Sequence, residues 1–126
     1  MQIERIEIYP LKVPLVTPFT TAMGTVTYRT ALLVRLFSGG AEGWGECDAF
    51  ESPWYSPETT AECLKVIQKL IAPKILKIDI NDAADLNQRM AFIRGHRMAK
   101  AAVEMAFFDL TAEMKKIPLK KLLGGT

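Results

Sequence analysis

At 126 residues with 49% apolar content, the chain is long enough to bury one ordinary core, and nothing in it marks a boundary between two domains. Sixteen basic against fourteen acidic residues leave a formal charge of +2 with neither sign gathered into a block, which argues against nucleic acid as a partner. The first residues lack the basic region, apolar core and cleavage site of a secretory leader, and the apolar runs fall far short of the roughly 20 residues a membrane helix needs, so no membrane partner and a cytoplasmic location are expected.

Residues 2–15 predict an edge strand: Ile6, Ile8, Leu11, Val13 and Leu15 change parity around Pro10, as a bulge would produce, and Pro10 and Pro14 suit an edge. Residues 27–37 are rich in β-branched and aromatic side chains and predict a second strand, which Ser38-Gly39-Gly40 turns into a third over 41–47. The period then changes. Ser56 is a plausible N-cap, Pro57 suits the first helical position and Glu58 suits the positive end of the dipole. Leu64, Ile67, Ile71 and Ile75 mark one helical face ending near 76–78, with Pro73 a kink or an earlier break. Residues 79–82 offer caps for a short helix through Leu86 and Met90, and 96–115 predicts the best-defined helix. Met98, Ala102, Met105, Ala106, Phe108 and Leu110 leave that helix little polar surface beyond Lys100, Glu104, Thr111 and Lys115, so it is expected to be buried on most sides. Pro118 restarts a short turn of helix that Gly124-Gly125 ends. The sum is an α+β domain, a three-stranded antiparallel sheet packed on a helical bundle.

Cys47 and Cys63 are too few and too far apart in sequence to suggest a disulfide framework or a metal knuckle, and small core thiols are expected. The lone His96 leads into the long helix, where capping or loop packing is expected. Asp109 falls on the side opposite Lys100, among apolar residues; an ionised carboxylate there needs hydrogen bonds, so it is read as a structural acid tied to neighbouring backbone. Glu42 and Glu46 share a strand face and Asp79 with Asp82 flank a turn, but neither pair has a third acid at ligand spacing. Lys115-Lys116 and Lys120-Lys121 are ordinary companions of helix C-termini. No catalytic residue and no metal ligand is assigned.

Two sets of residues carry a family resemblance. Ala99, Ala101, Ala102, Val103, Glu104, Ala106, Asp109, Leu110, Ala112, Pro118, Leu119, Leu122, Leu123 and Gly124 resemble the signature that ends the N-terminal capping domain of the mandelate racemase and muconate lactonizing branch of the enolase superfamily, with Phe107 and Glu113 departing from its pattern. Gly43-Trp44-Gly45-Glu46-Cys47, the stretch from Ser52 to Thr59, and Arg94-Gly95-His96 resemble the o-succinylbenzoate synthase and N-succinylamino acid racemase subgroup. The match covers nearly the whole chain, so residues 1–126 are expected to be one capping domain, with the catalytic (β/α) barrel absent from this chain. The resemblance implies removal of a proton next to a carboxylate, with Mg²⁺ stabilising the enolate, because so weak a carbon acid needs a cation and hydrogen-bond donors at the developing oxyanion. The metal-binding acids and lysine bases of such enzymes lie on barrel strands.

What the resemblance assigns to the capping domain is a lid of two loops, here 17–24 and 50–55. Phe19, Thr20, Met23, Gly24, Phe50 and Tyr55 are the expected substrate-facing residues, with Gly24 a hinge. Packing of Phe19 and Phe50 into the core, and of Trp54 on Pro53, stays open. The implied whole enzyme is a lyase that forms o-succinylbenzoate for menaquinone biosynthesis, an isomerase of N-succinylamino acids, or both; the chain alone is expected to be inactive. A dipeptide epimerase, a muconate cycloisomerase relative and a standalone binding module are the alternatives. Expected partners are the barrel domain, a small carboxylate substrate and further copies in a homo-oligomer.

Overall fold

The computed structural model describes residues 1–22, 24–49 and 58–125, with the backbone alone for a few residues of the first hairpin, Phe19 among them. Three strands, β1 (Arg5–Thr21), β2 (Gly24–Ser38) and β3 (Ala41–Cys47), form an antiparallel meander in the order β1-β2-β3. The β2–β3 turn places Gly39 and Gly40 at φ 56° and 81°, the left-handed pair that a tight hairpin twisting with its strands requires. Leu32, Val34 and Leu36 of β2 point inward and are buried, opposite Cys47, Gly45 and Gly43 of β3; Ile6 and Ile8 of β1 pack on the same core.

The sequence periodicity placed a bulge near Pro10, but the β1–β2 register runs unbroken from Arg5 to Pro14 and shifts only between Pro14 and Phe19. The parity change has another cause. With no bulge, Leu11 and Val13 fall on the outer face with Glu7 and Tyr9, opposite to Ile6 and Ile8, and are exposed there.

Ser56 and Pro57 lie outside the described residues. Thr59 is the N-cap of α1 (Thr60–Val66), its side chain accepting from the Glu62 amide at 3.2 Å. The helix continues through a π turn (Ile67–Ile71) into α2 (Ala72–Ile75). Pro73 explains the widened turn: it lacks an N–H and its ring crowds the carbonyl one turn back, so the ladder loosens ahead of it, with the Ala72 amide bonded to the Ile67 carbonyl. Ile67, Ile71 and Ile75 stay fully buried on one face. Asp82 caps α3 (Ala83–Met90) through the Asp85 amide at 2.8 Å.

The long helix α4 (Arg97–Lys115) lies across the inner face of the sheet. Ala99, Ala102, Val103, Ala106, Phe107 and Leu110 are buried there, but Met105 is half exposed, so the helix is covered on one side and not all round. Phe107, one of the two departures from the family pattern, fills core; Glu113, the other, is exposed. His96 takes a left-handed backbone, φ 51°, and makes no side-chain cap bond; its Nδ1 is shielded from solvent with no hydrogen-bond partner among the described residues. The cap comes from elsewhere, the Glu58 carboxylate accepting from the Met98 amide at 2.9 Å, where a negative charge also meets the positive end of the helix dipole. After α4, α5 (Leu119–Leu122) is a single turn that Gly124 ends at φ 88°.

On the outer sheet face Arg35 is held between two carboxylates. Its Nε donates to Glu42 at 2.9 Å and one Nη to Glu7 at 3.3 Å, while its guanidinium lies over Phe37 and Trp44. Tyr9, stacked on Trp44, donates to Glu7. Glu7 is held below the ordinary carboxylate value of 4.5 by the Tyr9 hydroxyl first and by Arg5 and Arg35, and Glu42 by the Arg35 hydrogen bonds first, with help from the Trp44 indole. A depressed folded pKa contributes stability that is complete above the unfolded value and is lost as pH falls through the folded one. Thermal unfolding should therefore shift down as pH drops below 4.5, modestly because the groups are exposed, and Arg35→Met should flatten that part of the pH profile.

Candidate functional site

Because β3 runs antiparallel to β2, its C-terminal end lies at the same end of the sheet as the β1–β2 hairpin tip. Both segments that the sequence analysis assigned to substrate contact leave the domain there. The first is not a loop. Phe19, Thr20 and Thr21 pair with Val26, Thr25 and Gly24 as a continuous ribbon. The β-branched residues Thr20, Thr21, Thr25 and Val26 in this stretch favour strand over loop. The Thr20 and Thr25 hydroxyls meet across the strands at 3.2 Å, and Gly24 takes φ 145°, a conformation open to glycine at little cost. Thr20 is exposed. Met23, Phe50 and Tyr55, and Trp54 with them, lie outside the described residues.

The ribbon is long and supported on one side of its base only. Lys12 Nζ sits 3.9 Å from the centre of the Tyr28 ring across the two strands. Val16 is fully exposed and Leu11 and Val13 about half so, an apolar edge that a solvated ribbon would not select.

The second segment is anchored at both stems. Ala49 is buried and its carbonyl accepts from the Thr60 hydroxyl at 2.8 Å; Glu58 is tied to α4 as described. Arg29 ties the hairpin arm to the chain just after β3, its guanidinium donating from β2 to the Asp48 carbonyl. Sequence reasoning missed Arg29, whose only signal is a cation set in a run of β-branched and aromatic residues. Beside this contact Glu46 is pushed above the ordinary carboxylate value, first by its hydrogen bond with Asp48 and by that residue's like charge. Asp109 behaves as the helix geometry predicted: its Oδ2 accepts from the Trp44 amide at 2.8 Å, fixing α4 to β3.

A different face is apolar. Met105, Phe108, Leu119, Leu123 and Trp44 line a groove of about 250 Å³ floored by Asp109, and Met114 and Leu122 help line a larger one of about 640 Å³ between α4, α5 and the start of α3. Met105, Met114, Leu119 and Leu123 are all substantially exposed. Among the described residues no three of His, Cys, Asp and Glu gather to hold a metal ion, and no helix is long and apolar enough to cross a membrane.

The profile of the mandelate racemase / muconate lactonizing enzyme N-terminal domain matches residues 5–124. The chain belongs to this family. As an N-terminal domain of enolase-superfamily enzymes, it is 36% identical along its whole length to the o-succinylbenzoate synthase of Bacillus subtilis, of which it spans 34%. It is 42% identical over 99% of its length to the N-succinylamino acid racemase of Thermus thermophilus, again spanning 34% of that protein. Among solved structures, an enolase-superfamily member from Listeria innocua superposes with a TM-score of 0.94 at 31% identity, covering all of this chain and 34% of the other. The chain thus spans about a third of the length of its curated relatives.

Proposed function

We propose that residues 1–126 act as the capping domain of a cytoplasmic, divalent-metal-dependent enzyme that forms o-succinylbenzoate by dehydration, racemises N-succinylamino acids, or does both. The observation that supports this reading is that the β1–β2 hairpin and the C-terminal end of β3, from which the second segment departs, run toward the same end of the sheet, with Arg29 of the hairpin arm bonded to Asp48. Phe19, Thr20, Met23, Gly24, Phe50 and Tyr55 would there face a small carboxylate held by a C-terminal barrel. The groove of Met105, Phe108, Leu119 and Leu123 is the surface that barrel would cover, and exposed apolar area of this kind favours burial. Closure would exclude water around the reacting carbon, and selection of substrate shape would rest with the lid.

Among the described residues no three metal-binding side chains gather to hold the metal, and several carboxylates already have other partners. Glu7 and Glu42 are engaged by Arg35, Glu58 by the Met98 amide, Asp85 by Arg89 and Asp109 by the Trp44 amide. The Mg²⁺ ligands and the proton-abstracting base are therefore assigned to the barrel, and this chain supplies exclusion of water and substrate selection.

The test is turnover by the protein carrying this domain together with a barrel, assayed for o-succinylbenzoate formation and N-succinylamino acid racemisation with Mg²⁺ and after chelation. Metal-dependent turnover, lost in the 126-residue chain alone, is expected. A Thr20→Val change should alter KM between succinylated and unsuccinylated substrates more than it alters kcat. Turnover by the 126-residue chain alone would overturn the reading.

A further inference from the structure

The two cysteines are far apart in sequence but adjacent in the fold. Cys47 is the last residue of β3 and faces inward opposite Leu32. Cys63 lies in α1, its amide bonded to the Thr59 carbonyl at 2.9 Å. Both are buried free thiols, and their side chains hydrogen-bond to each other. The Thr60 hydroxyl on the Ala49 carbonyl holds the same two elements together at 2.8 Å. With two cysteines in these 126 residues, neither has a rival partner within the domain.

We propose that Cys47 and Cys63 are a modification site, a thiol pair that closes reversibly into an intramolecular disulfide joining the end of β3 to α1. The pair is asymmetric. The Cys63 thiol donates to the Cys47 sulfur, which lowers the pKa of Cys47, while donating that proton and being buried push Cys63 up. Cys47 is thus the attacking thiolate and Cys63 the resolving thiol. With a low-molecular-weight disulfide as oxidant, the Cys47 thiolate attacks one of its sulfurs, the oxidant's S–S bond breaks, and one small thiolate leaves and takes up a proton. The Cys63 sulfur then loses its proton and attacks the Cys47 sulfur of the mixed disulfide, releasing the second small thiol. Two protein thiols are oxidised and one small disulfide is reduced to two thiols. Burial of both sulfurs makes local opening at this junction the step that admits the oxidant, so closure is slower than for a surface thiol pair.

The experiment is incubation of the folded protein with glutathione disulfide, followed by intact mass, peptide mapping and thermal unfolding. Closure should remove two hydrogens, give a Cys47–Cys63 crosslinked peptide pair, reverse with dithiothreitol and raise the unfolding midpoint by several degrees, because a crosslink restricts the unfolded chain. Cys63→Ser should stop at a single glutathione adduct on Cys47, and Cys47→Ser at a single adduct on Cys63, with neither variant forming the crosslink. Two glutathione adducts on the wild-type chain, or two thiols still free to alkylation after denaturation, would overturn the proposal without reliance on either variant folding.

Discussion

Gly45→Ala should cost the domain about 3 kcal/mol or more, enough to leave much of the chain unfolded at ordinary temperature given the small net stability of a domain. A Cβ on Gly45 would stand 1.9 Å from the Ala102 carbonyl oxygen and 2.9 Å from the Ala106 nitrogen. Those are backbone atoms of α4, so no side chain can rotate away, and the helix would have to lift off the strand that holds it most closely. Gly43 faces the same limit one pair of residues earlier, with the Ala106 oxygen and Leu110 nitrogen each 2.3 Å from the added carbon. A useful control is Gly39→Ala. That site has positive φ but open space around it, so only backbone strain of about 1 kcal/mol is expected. Urea unfolding followed by circular dichroism separates the two cases: a near-native midpoint for Gly45→Ala would show that β3 and α4 do not meet backbone to backbone.

Leu110→Ala should be the next most damaging change, lowering the unfolding free energy by about 2–5 kcal/mol through lost apolar burial and the cavity left behind. Leu110 is fully buried against β3, beside the Asp109 bond to the Trp44 amide, and neighbouring backbone is already too close-packed to collapse into the space. Met105 lies on the same helix but is half exposed, and Met105→Ala in the isolated chain should stay within about 0.5 kcal/mol. The urea midpoint, at unchanged slope, measures both. In the protein that carries a barrel, the proposed function gives Met105→Ala a larger cost, since the groove it lines would then be buried. Equal effects of the two substitutions on the isolated chain would contradict the one-sided burial of α4.

Much of the architecture is written in local chemistry. Alternation in β1 and β2, the Ser38-Gly39-Gly40 turn, Asp82 as a cap, the period of Ile67, Ile71 and Ile75, and Gly124 as a stop all act within a few residues of themselves, so they can be read without knowing what lies across the core. The place of Asp109 was legible for a related reason: helix geometry puts its carboxylate on a particular side, and a charge there needs a partner. The family resemblance was legible too, because the residues that carry it cluster around α4 and β3, where the glycine contacts leave few alternatives.

Tertiary structure decided what depends on distant segments meeting. The apolar parity change in β1 puts Leu11 and Val13 on the exposed outer face of an unbroken strand, and no property of residues 10–15 alone distinguishes that from a bulge. The hairpin tip is ribbon and not loop because its two strands hydrogen-bond to each other. The cap of α4 comes from Glu58, forty residues away in sequence, Arg29 of β2 bonds to Asp48 beyond the end of β3, and Cys47 meets Cys63 across a strand–helix junction. Periodicity and turn chemistry report the conformation of a short stretch of chain; which of these stretches touch is set by the packing of the whole core, and the pairs that carry the candidate site and the thiol switch exist only once that core has closed.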